Sequence, residues 1–182
     1  MIIRPLVEGK GDVQAIADLI RRIAHERHGR YDVKVLKGHK ATRSRLSPST
    51  VAEEIEYAHR VVPGGADFVI VVYDSDDDCA AQHAEQFPRR PDARLAIAVR
   101  EFEAWLLADT DEKSEIDKSG SVRGAKEAMR GRLGRKYRET TDGRKLVHGL
   151  DLDRVERNSR SFQHLVKVVG ELIGIGRRPD DF

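Results

Sequence analysis

The sequence predicts an α/β protein in which a parallel β-sheet of about four strands is flanked by helices and followed by a helical C-terminal extension. Apolar, β-branched segments alternate with amphipathic segments up to about residue 110, and the sequence beyond that point is basic, glycine-interrupted and helical in pattern. The central segment, residues 68–73, is apolar throughout, as expected of a strand buried on both faces of a sheet. We therefore expect a core at residues 1–110 and an extension, residues 111–182, that packs on it.

The first predicted strand, residues 2–7, leads into a glycine-rich turn. In this turn, residues 8–12, two glycines surround a lysine, and glycine permits a tight turn close to a ligand. Asp12 is a candidate N-cap for the helix that follows, at about residues 13–28. Apolar residues recur at helical spacing within that segment.

The remaining elements continue the alternation of strands and helices. A second strand is predicted at residues 31–36, and a basic loop rich in structure-breaking residues follows at 37–49. The later elements are a helix at about 51–61, the central strand, a helix at 79–86, a strand at 94–99, a helix at 104–108 and a C-terminal helix at 161–172. Trp105 lies among aliphatic residues, which favours packing in the core over stacking on a base.

Composition excludes several classes of protein. Hydrophobic residues make up 39% of the 182 residues and charged residues 35%, which is typical of a folded chain with a heavily charged surface. The single cysteine, Cys79, excludes an internal disulfide framework and a cysteine-based zinc site. No apolar stretch reaches the roughly 18 residues of a membrane span, and the first residues do not resemble a secretory signal, so we expect a cytoplasmic protein.

Four aspartates follow the central apolar segment, at positions 74, 76, 77 and 78. Like charges this close raise the free energy of ionising one another, and ordinary folding does not favour such a cluster. A divalent cation removes the repulsion, and hard cations such as Mg²⁺ prefer oxygen ligands. Asp77 and Asp78 have a second interpretation, because acidic residues also stabilise the positive end of a following helix. We therefore assign the predicted metal site to Asp74 and Asp76.

Acidic residues also follow two other predicted strands. Glu8 comes directly after the first strand, and Glu101 and Glu103 come after the strand at 94–99. The carboxyl ends of parallel strands meet at one edge of the sheet, where open α/β sheets place their ligands. The sequence therefore predicts that these acids converge with the aspartates on a Mg²⁺-type site.

Three segments resemble motifs of the Toprim fold, the catalytic domain shared by topoisomerases, primases and OLD-type nucleases. They are LVEGKGD at 6–12, VVYDSDDD at 71–78 and AVREFEAWLLAD at 98–109. Together with Ser161 and Phe162, they more narrowly resemble the small stand-alone Toprim proteins of the DUF4276 family, over residues 2 to about 165. Gly11 departs from the pattern, because the family usually has threonine or serine there.

The resemblance implies a Toprim-like Rossmannoid core that acts as a metal-dependent endonuclease on DNA, or on RNA. In related nucleases such acids hold one or two Mg²⁺ or Mn²⁺ ions. The residues that match as core ligands are Glu8, Asp74 and Asp76, and those that match as ligands of a second ion, or as its surroundings, are Asp12, Glu101 and Glu103.

The resemblance also implies a role as the effector of an antiphage defence system that includes a separately encoded ABC-type ATPase. The chain has no Walker A motif, so the ATPase would be another chain. A different interpretation stays open, in which the domain binds an ATPase partner or nucleic acid without cleaving it.

Basic residues are concentrated in two stretches. Residues 21–45 contain nine lysines and arginines against two acids, and residues 119–145 contain nine against three. A basic surface beside a metal site suits a nucleic-acid backbone, although a solvated charged surface is the second interpretation. Lys145 lies in a stretch that resembles the late motif of the family and is the candidate catalytic cation, with simple phosphate contact as its alternative.

Overall fold

Five parallel strands form the sheet in the computed structural model of the chain, which describes residues 1–61, 63, 65–76, 78–111 and 124–174. The strands are β1 Ile2–Val7, β2 Lys34–Val35, β3 His39–Lys40, β4 Phe68–Asp74 and β5 Ala93–Ala98. Their order across the sheet is β2-β1-β4-β5, and β3 pairs with the carboxyl half of β1. The two central strands of the sheet are therefore β1 and β4, the apolar segments that acidic residues follow in the sequence.

Eight α-helices flank this sheet in the described part of the chain. They are α1 Asp12–Arg22, α2 Val51–Arg60, α3 Ala80–Gln86, α4 Glu103–Leu107, α5 Ala125–Leu133, α6 Glu139–Gly149, α7 Leu152–Asn158 and α8 Arg160–Leu172. A π-helical turn, Ile23–Arg27, prolongs α1, and a 3-10 turn, Arg43–Leu46, precedes α2. The predicted α/β class with C-terminal helices is confirmed. None of the helices in these ranges is long and apolar enough to cross a membrane.

The second predicted strand, residues 31–36, is shorter in the structure and is followed by a further strand inside the predicted loop. β2 pairs with the start of β1 and β3 with its end, so the two short strands form one interrupted edge of the sheet. Gly38 lies at the interruption, where its N–H donates to the carbonyl oxygen of Val13 at 3.0 Å. A Cβ atom at Gly38 would lie 2.8 Å from that oxygen, so the close approach to α1 requires glycine.

The sheet separates two apolar clusters. Ile70 and Val72 of β4 point into the cluster that contains α1 and the C-terminal helices, whereas Val69, Val71 and Tyr73 point into the cluster beneath α2. This alternation is the period-two pattern of a strand with two buried faces. The apolar run before the aspartates therefore reflects burial on both sides of the sheet.

Trp105 anchors α4 in the larger cluster. Its side chain is fully buried between Phe102 and Phe162, with ring centroids 6.0 and 5.8 Å away in edge-to-face arrangements. Its indole N–H donates to the hydroxyl of Ser161 at 2.8 Å, which satisfies its one polar group. The prediction that Trp105 packs in the core is confirmed. These contacts join α4, from the strand-helix region, to α8, from the predicted extension.

A buried carboxylate holds α6 against α1. Asp18 of α1 is 2% exposed and accepts hydrogen bonds from Arg144 of α6 at 2.7 Å and from Arg21 at 2.6 Å. Arg22 of α1 reaches the carbonyl oxygen of Val147 in α6. A buried carboxylate left without its cationic partners costs several kcal/mol, roughly 3–5, so these bonds strongly favour this packing of the two helices.

The packing of α6 on α1 brings the first residue of α6, Glu139, against the glycine-rich turn after β1. A Cβ atom at Gly11 would lie 2.7 Å from Cβ of Glu139 and 3.0 Å from its carbonyl carbon. Glycine at this position therefore has a physical reason in this chain, because any side chain would push the start of α6 away from the turn.

We expect the substitution Gly11→Ala to lower the free energy of unfolding by about 1–3 kcal/mol, because the added methyl group overlaps α6. The matched control is Gly131→Ala in α5, where a Cβ atom would meet nothing within 4 Å. That control should be neutral or stabilising by up to about 1 kcal/mol, since alanine favours helix. Urea unfolding of the two variants provides the measurement, and equal stabilities would contradict the close packing.

Candidate functional site

A cavity of about 200 Å³ opens at the carboxyl edge of the sheet, where β1 and β4 end. The residues that line it are Glu8, Gly9, Asp12, Asp74, Asp76, Glu103, Lys126 and Glu139. Five of the six predicted metal ligands are among them, from the ends of β1 and β4 and from the first residues of α1 and α4. The acids that follow separate strands therefore meet in space, as the topology of a parallel sheet requires.

Glu101 and Lys145 are not among the residues that line the cavity. The carboxylate of Glu101 lies beside it and accepts a hydrogen bond from the backbone N–H of Lys126 at 3.2 Å. Lys145 is exposed on α6. The hydrogen bonds of Arg135 lower the pKa of Asp142, and the charge of Lys145 contributes. The catalytic role predicted for Lys145 stays a prediction. Asp77 lies outside the described residues.

The loops after β4 and β5 are hydrogen-bonded to each other at the cavity. The N–H of Arg100 donates to the buried hydroxyl of Ser75 at 2.8 Å, and the N–H of Asp76 donates to the carbonyl oxygen of Arg100 at 3.0 Å. Asp76 and Arg100 both have positive φ angles, 47° and 68°, which are uncommon for residues with a side chain and recur at functional sites. The N–H of Phe102 donates to Oδ1 of Asp74 at 2.8 Å, so these paired loops also orient that carboxylate.

The turn after β1 orients Asp12 toward the same cavity. Its Oδ2 accepts a hydrogen bond from the N–H of Gly9 at 3.1 Å, and a Cβ atom at Gly9 would overlap this carboxylate. The prediction that Asp12 caps α1 is wrong, because Gly11 is the N-cap residue and no side chain caps the helix. The carboxylate turns back over Gly9 instead, which leaves it available to the cavity.

Crowding and burial change the protonation of the carboxyl groups. Burial raises the pKa of Asp74 to about 8, and the charges of Asp12 and Glu103 contribute. Burial likewise raises the pKa of Glu103, which is 2% exposed, to about 7, although Lys126 opposes the shift. Burial also raises the pKa of Asp12 above its ordinary value. Asp74 therefore holds a proton at neutral pH and Glu103 holds one part of the time, and a bound cation would favour the ionised forms.

Two cationic side chains compensate part of this negative charge. Nζ of Lys126 lies 3.0 Å from Oε1 of Glu139 at the rim of the cavity. Burial alone would lower the pKa of Lys126, but the hydrogen bond to Glu139 and the charge of Glu103 raise it. In the sequence, Lys126 is only one of nine basic residues in the stretch 119–145. Its position at the cavity depends on how α5 returns to the sheet.

Arg43 compensates the opposite side of the cavity. Its guanidinium lies 3.3 Å from Oε2 of Glu8, 3.0 Å from Oδ2 of Asp76 and 2.9 Å from Oδ2 of Asp78. It also donates to the carbonyl oxygen of Asp74 and lies 5.5 Å above the ring centre of Tyr73. The basic loop predicted at 37–49 therefore contributes to the site through this residue.

The donor atoms of the cavity are of the type that Mg²⁺ and Mn²⁺ prefer, since they are all carboxylate oxygens. Across the described ranges, no group of three His, Cys, Asp or Glu side chains is arranged to hold a metal ion. The reason is visible at Glu8 and Asp76, which point to Arg43, and at Glu139, which points to Lys126. The carboxylates are chemically suited to a divalent cation. To bind one, they would have to release the side-chain cation, Arg43 or Lys126, that they contact.

The hydroxyl of Tyr137 is buried beside the acids of the cavity. Burial and the neighbouring carboxylate of Glu103 raise its pKa. A Cβ atom at Gly143 of α6 would lie only 2.9 Å from this hydroxyl, so glycine makes room for it. The packing of α6 therefore places a hydroxyl group next to Glu103.

Comparison with known proteins identifies one family. A family model described as a domain of unknown function, DUF4276, matches residues 7–169, which is most of the chain. The resemblance to the DUF4276 family predicted from the sequence is thereby confirmed. No curated protein and no solved structure matches the chain.

We expect the metal-free protein to lose stability as the pH rises from 5 to 8. A carboxyl whose pKa is raised in the folded state binds a proton there that the unfolded chain has already released, so ionisation disfavours the folded state. Asp74→Asn keeps the oxygen that accepts from Phe102 but cannot ionise. The loss in unfolding free energy from pH 5 to pH 8 should therefore be smaller in this variant, by about 1–3 kcal/mol.

Urea unfolding in EDTA at both pH values measures this difference. Asp153→Asn, an exposed aspartate outside the cavity, is the matched control and should retain the wild-type pH dependence. Parallel pH profiles for the wild type and Asp74→Asn would contradict the shifted pKa.

Proposed function

We propose that this chain, which belongs to the DUF4276 family, is a metal-dependent Toprim-type nuclease that hydrolyses phosphodiester bonds of DNA or RNA. The observation that carries the proposal is the convergence of acids from the ends of β1 and β4 and from the starts of α1 and α4 on one cavity. Structural carboxylates have no reason to gather where burial and mutual repulsion keep them protonated. The resemblance to the Toprim domain supplies the chemistry that such a cluster serves.

The residues divide into two sets of possible ligands. Glu8, Asp74 and Asp76 would hold one Mg²⁺ or Mn²⁺, and Asp12 and Glu103, with Glu101 beside them, would hold a second. Bound ions of this kind supply a hydroxide near neutral pH and stabilise the charge on the attacking and leaving oxygens of an in-line displacement.

The protein orients these acids before any ligand binds. The N–H of Phe102 directs Asp74 into the cavity, and the N–H of Gly9 directs Asp12. The raised pKa values of Asp74 and Glu103 mean that both carboxyls release a proton when a cation binds at neutral pH. Carboxylates held in place in this way are positioned to bind a cation, and the cation competes with the protons that they hold.

Lys126 is the cation best placed to contact a substrate phosphate at the cavity. Its ammonium group is part of the lining, and its raised pKa keeps it charged. Lys145 on the exposed face of α6 would instead contact the flanking backbone of a nucleic acid. Exposed Lys37 and Lys40 flank the same edge of the sheet near β3. Contacts of this kind position a nucleic acid without reading its sequence.

Several arginines of the two basic stretches are already paired within the protein. Arg27 pairs with Asp153, Arg30 with Asp32, and Arg135 with Asp142. The charge available to a nucleic acid is therefore smaller than the sequence count indicates, which favours a local contact near the cavity over a broad basic groove. The proposal retains a cytoplasmic location, and it retains a separate ABC-type ATPase in a defence system as the partner that the resemblance implies.

A second function is favoured by one observation. Arg43 and Lys126 neutralise carboxylates of the cavity within the chain itself, so the acids have partners without any metal. A Toprim domain in this state could bind an ATPase partner or nucleic acid without cleaving it. The two functions differ in whether divalent cations bind at Glu8 and Asp74.

We expect Mg²⁺- or Mn²⁺-dependent nicking of plasmid DNA that falls at least about 100-fold in Glu8→Gln and in Asp74→Asn, because each removes a proposed ligand charge. Glu53→Gln, an exposed acid on α2, is the matched control and should retain full activity. Single-stranded DNA and RNA substrates are tested in parallel. The assay is repeated with a co-expressed neighbouring ATPase. Cleavage that survives both Glu8→Gln and Asp74→Asn would contradict the assigned site.

We expect Lys126→Ala to lower kcat by about 10–100-fold, because the ammonium group stabilises charge that develops on the phosphate. Lys145→Ala should change kcat less than about threefold and act mainly on KM, as expected of an outer phosphate contact. Steady-state cleavage of a labelled duplex separates the two constants. The reverse order of effects would return the catalytic role to Lys145.

A further inference from the structure

The guanidinium of Arg43 contacts Glu8 and Asp76, two of the three acids proposed to hold a first metal ion. We infer that Arg43 is an exchangeable counter-cation, which holds Glu8 and Asp76 in the metal-free protein and moves to a substrate phosphate when a divalent cation takes its place. This inference rests on the proposed function, since it concerns the same acids. It adds an order of events, in which the cation binds first and the nucleic acid second.

The contacts of Arg43 are those that a cation at this position would have to replace. Its Nη1 lies 3.3 Å from Oε2 of Glu8 and 3.0 Å from Oδ2 of Asp76, and it also contacts the carbonyl oxygen of Asp74. One nitrogen atom is thus shared by three oxygens from the ends of β1 and β4. A guanidinium and a metal ion on the same oxygens would repel each other. The two cations therefore cannot occupy this position together.

The backbone around Arg43 is anchored, so exchange needs only a side-chain movement. On one side, the N–H of Ala41 donates to the carbonyl oxygen of Val7 at 2.9 Å, next to Glu8 in the chain. On the other side, Leu46 of the 3-10 turn is buried beneath α2. The side chain of Arg43 itself is 33% exposed, and a rotamer change would carry the guanidinium toward solvent.

Arg43 would remain at the mouth of the cavity after it leaves the carboxylates. Its fixed backbone holds the released guanidinium within one side-chain length of Glu8, and guanidinium binds phosphate through two parallel hydrogen bonds. The pairing of Arg43 with acids also blocks phosphate binding in the metal-free protein, because the same donors are occupied. Cation binding and phosphate binding are therefore coupled through one residue.

Mn²⁺ binding to the metal-free, full-length chain tests the competition. We expect Arg43→Gln to bind Mn²⁺ roughly three- to tenfold more tightly than the wild type in titration calorimetry, because a competing cation is removed. Arg45→Gln is the matched control, since Arg45 lies in the same turn but pairs with Glu53 and Glu54 away from the cavity. It should bind Mn²⁺ within twofold of the wild type. Arg43→Lys, which keeps the charge, should lie nearer the wild type than Arg43→Gln.

Binding of a DNA duplex tests the second step. With Ca²⁺, which allows binding to be measured apart from cleavage, we expect Arg43→Gln to bind DNA at least fivefold more weakly than the wild type. In EDTA the two proteins should bind DNA within twofold of each other, because Arg43 is then held by the acids. An equal loss in both conditions, or no loss in either, would overturn the inference.

The outcomes separate this inference from the proposed function. If Arg43→Gln binds Mn²⁺ no more tightly than the wild type, the exchange is overturned. If Glu8→Gln abolishes Mn²⁺ binding in that case, the proposed metal site still stands. If Arg43→Gln binds Mn²⁺ and the wild type does not, Arg43 competes strongly with the cation, which would support the exchange. If no protein binds Mn²⁺, both the exchange and the metal-dependent function fail. Thermal unfolding checks that every variant is folded, and Mn²⁺ should raise the midpoint most in Arg43→Gln.

Discussion

Repulsion among carboxylates at the carboxyl edge of the sheet is the constraint on which the rest of the site depends. Topology alone brings acids from β1, β4 and the loop after β5 to one place, and burial raises the pKa of Asp74 and Glu103. Such a cluster is compatible with folding because it is partly protonated and partly neutralised. Arg43 approaches from the turn before α2 and Lys126 from α5, so the two cations reach the acids from separate parts of the chain.

The C-terminal helices are part of the site as well as of the core. The ion pair of the buried Asp18 carboxylate with Arg144 holds α6 against α1, and Gly11 lets the first residue of α6 pack on the turn after β1. Glu139 lines the cavity from this direction, and the hydroxyl of Tyr137 lies beside Glu103. An extension that sequence analysis separates from the core at residue 110 thus shares one apolar cluster with it and supplies part of the cavity.

The sequence predicts the acidic half of the site well and the basic half poorly. Glu8 and Asp74 lie at the ends of apolar strands, and Glu103 begins the helix after the next strand, so strand topology places them with no knowledge of distant packing. Arg43 and Lys126 carry no such signal, because each lies in a basic stretch where many cations are equivalent in sequence. Their selection depends on how a loop and α5 fold back over the sheet, which short-range patterns do not encode. For the same reason the short strands β2 and β3 differ from the single strand predicted, since Gly38 contacts α1 through tertiary packing.

The contact between Gly11 and Glu139 also sets the order in which the cavity can be completed during synthesis. The acids of the strand ends leave the ribosome well before Lys126 and Glu139, which are needed to close the cavity and to compensate its charge. Until then the partly made chain has Arg43 but neither Lys126 nor Glu139, so part of the carboxylate charge is uncompensated and its repulsion disfavours the folded turn. The complete cavity therefore requires the chain through Glu139, and a product truncated before that residue would lack it.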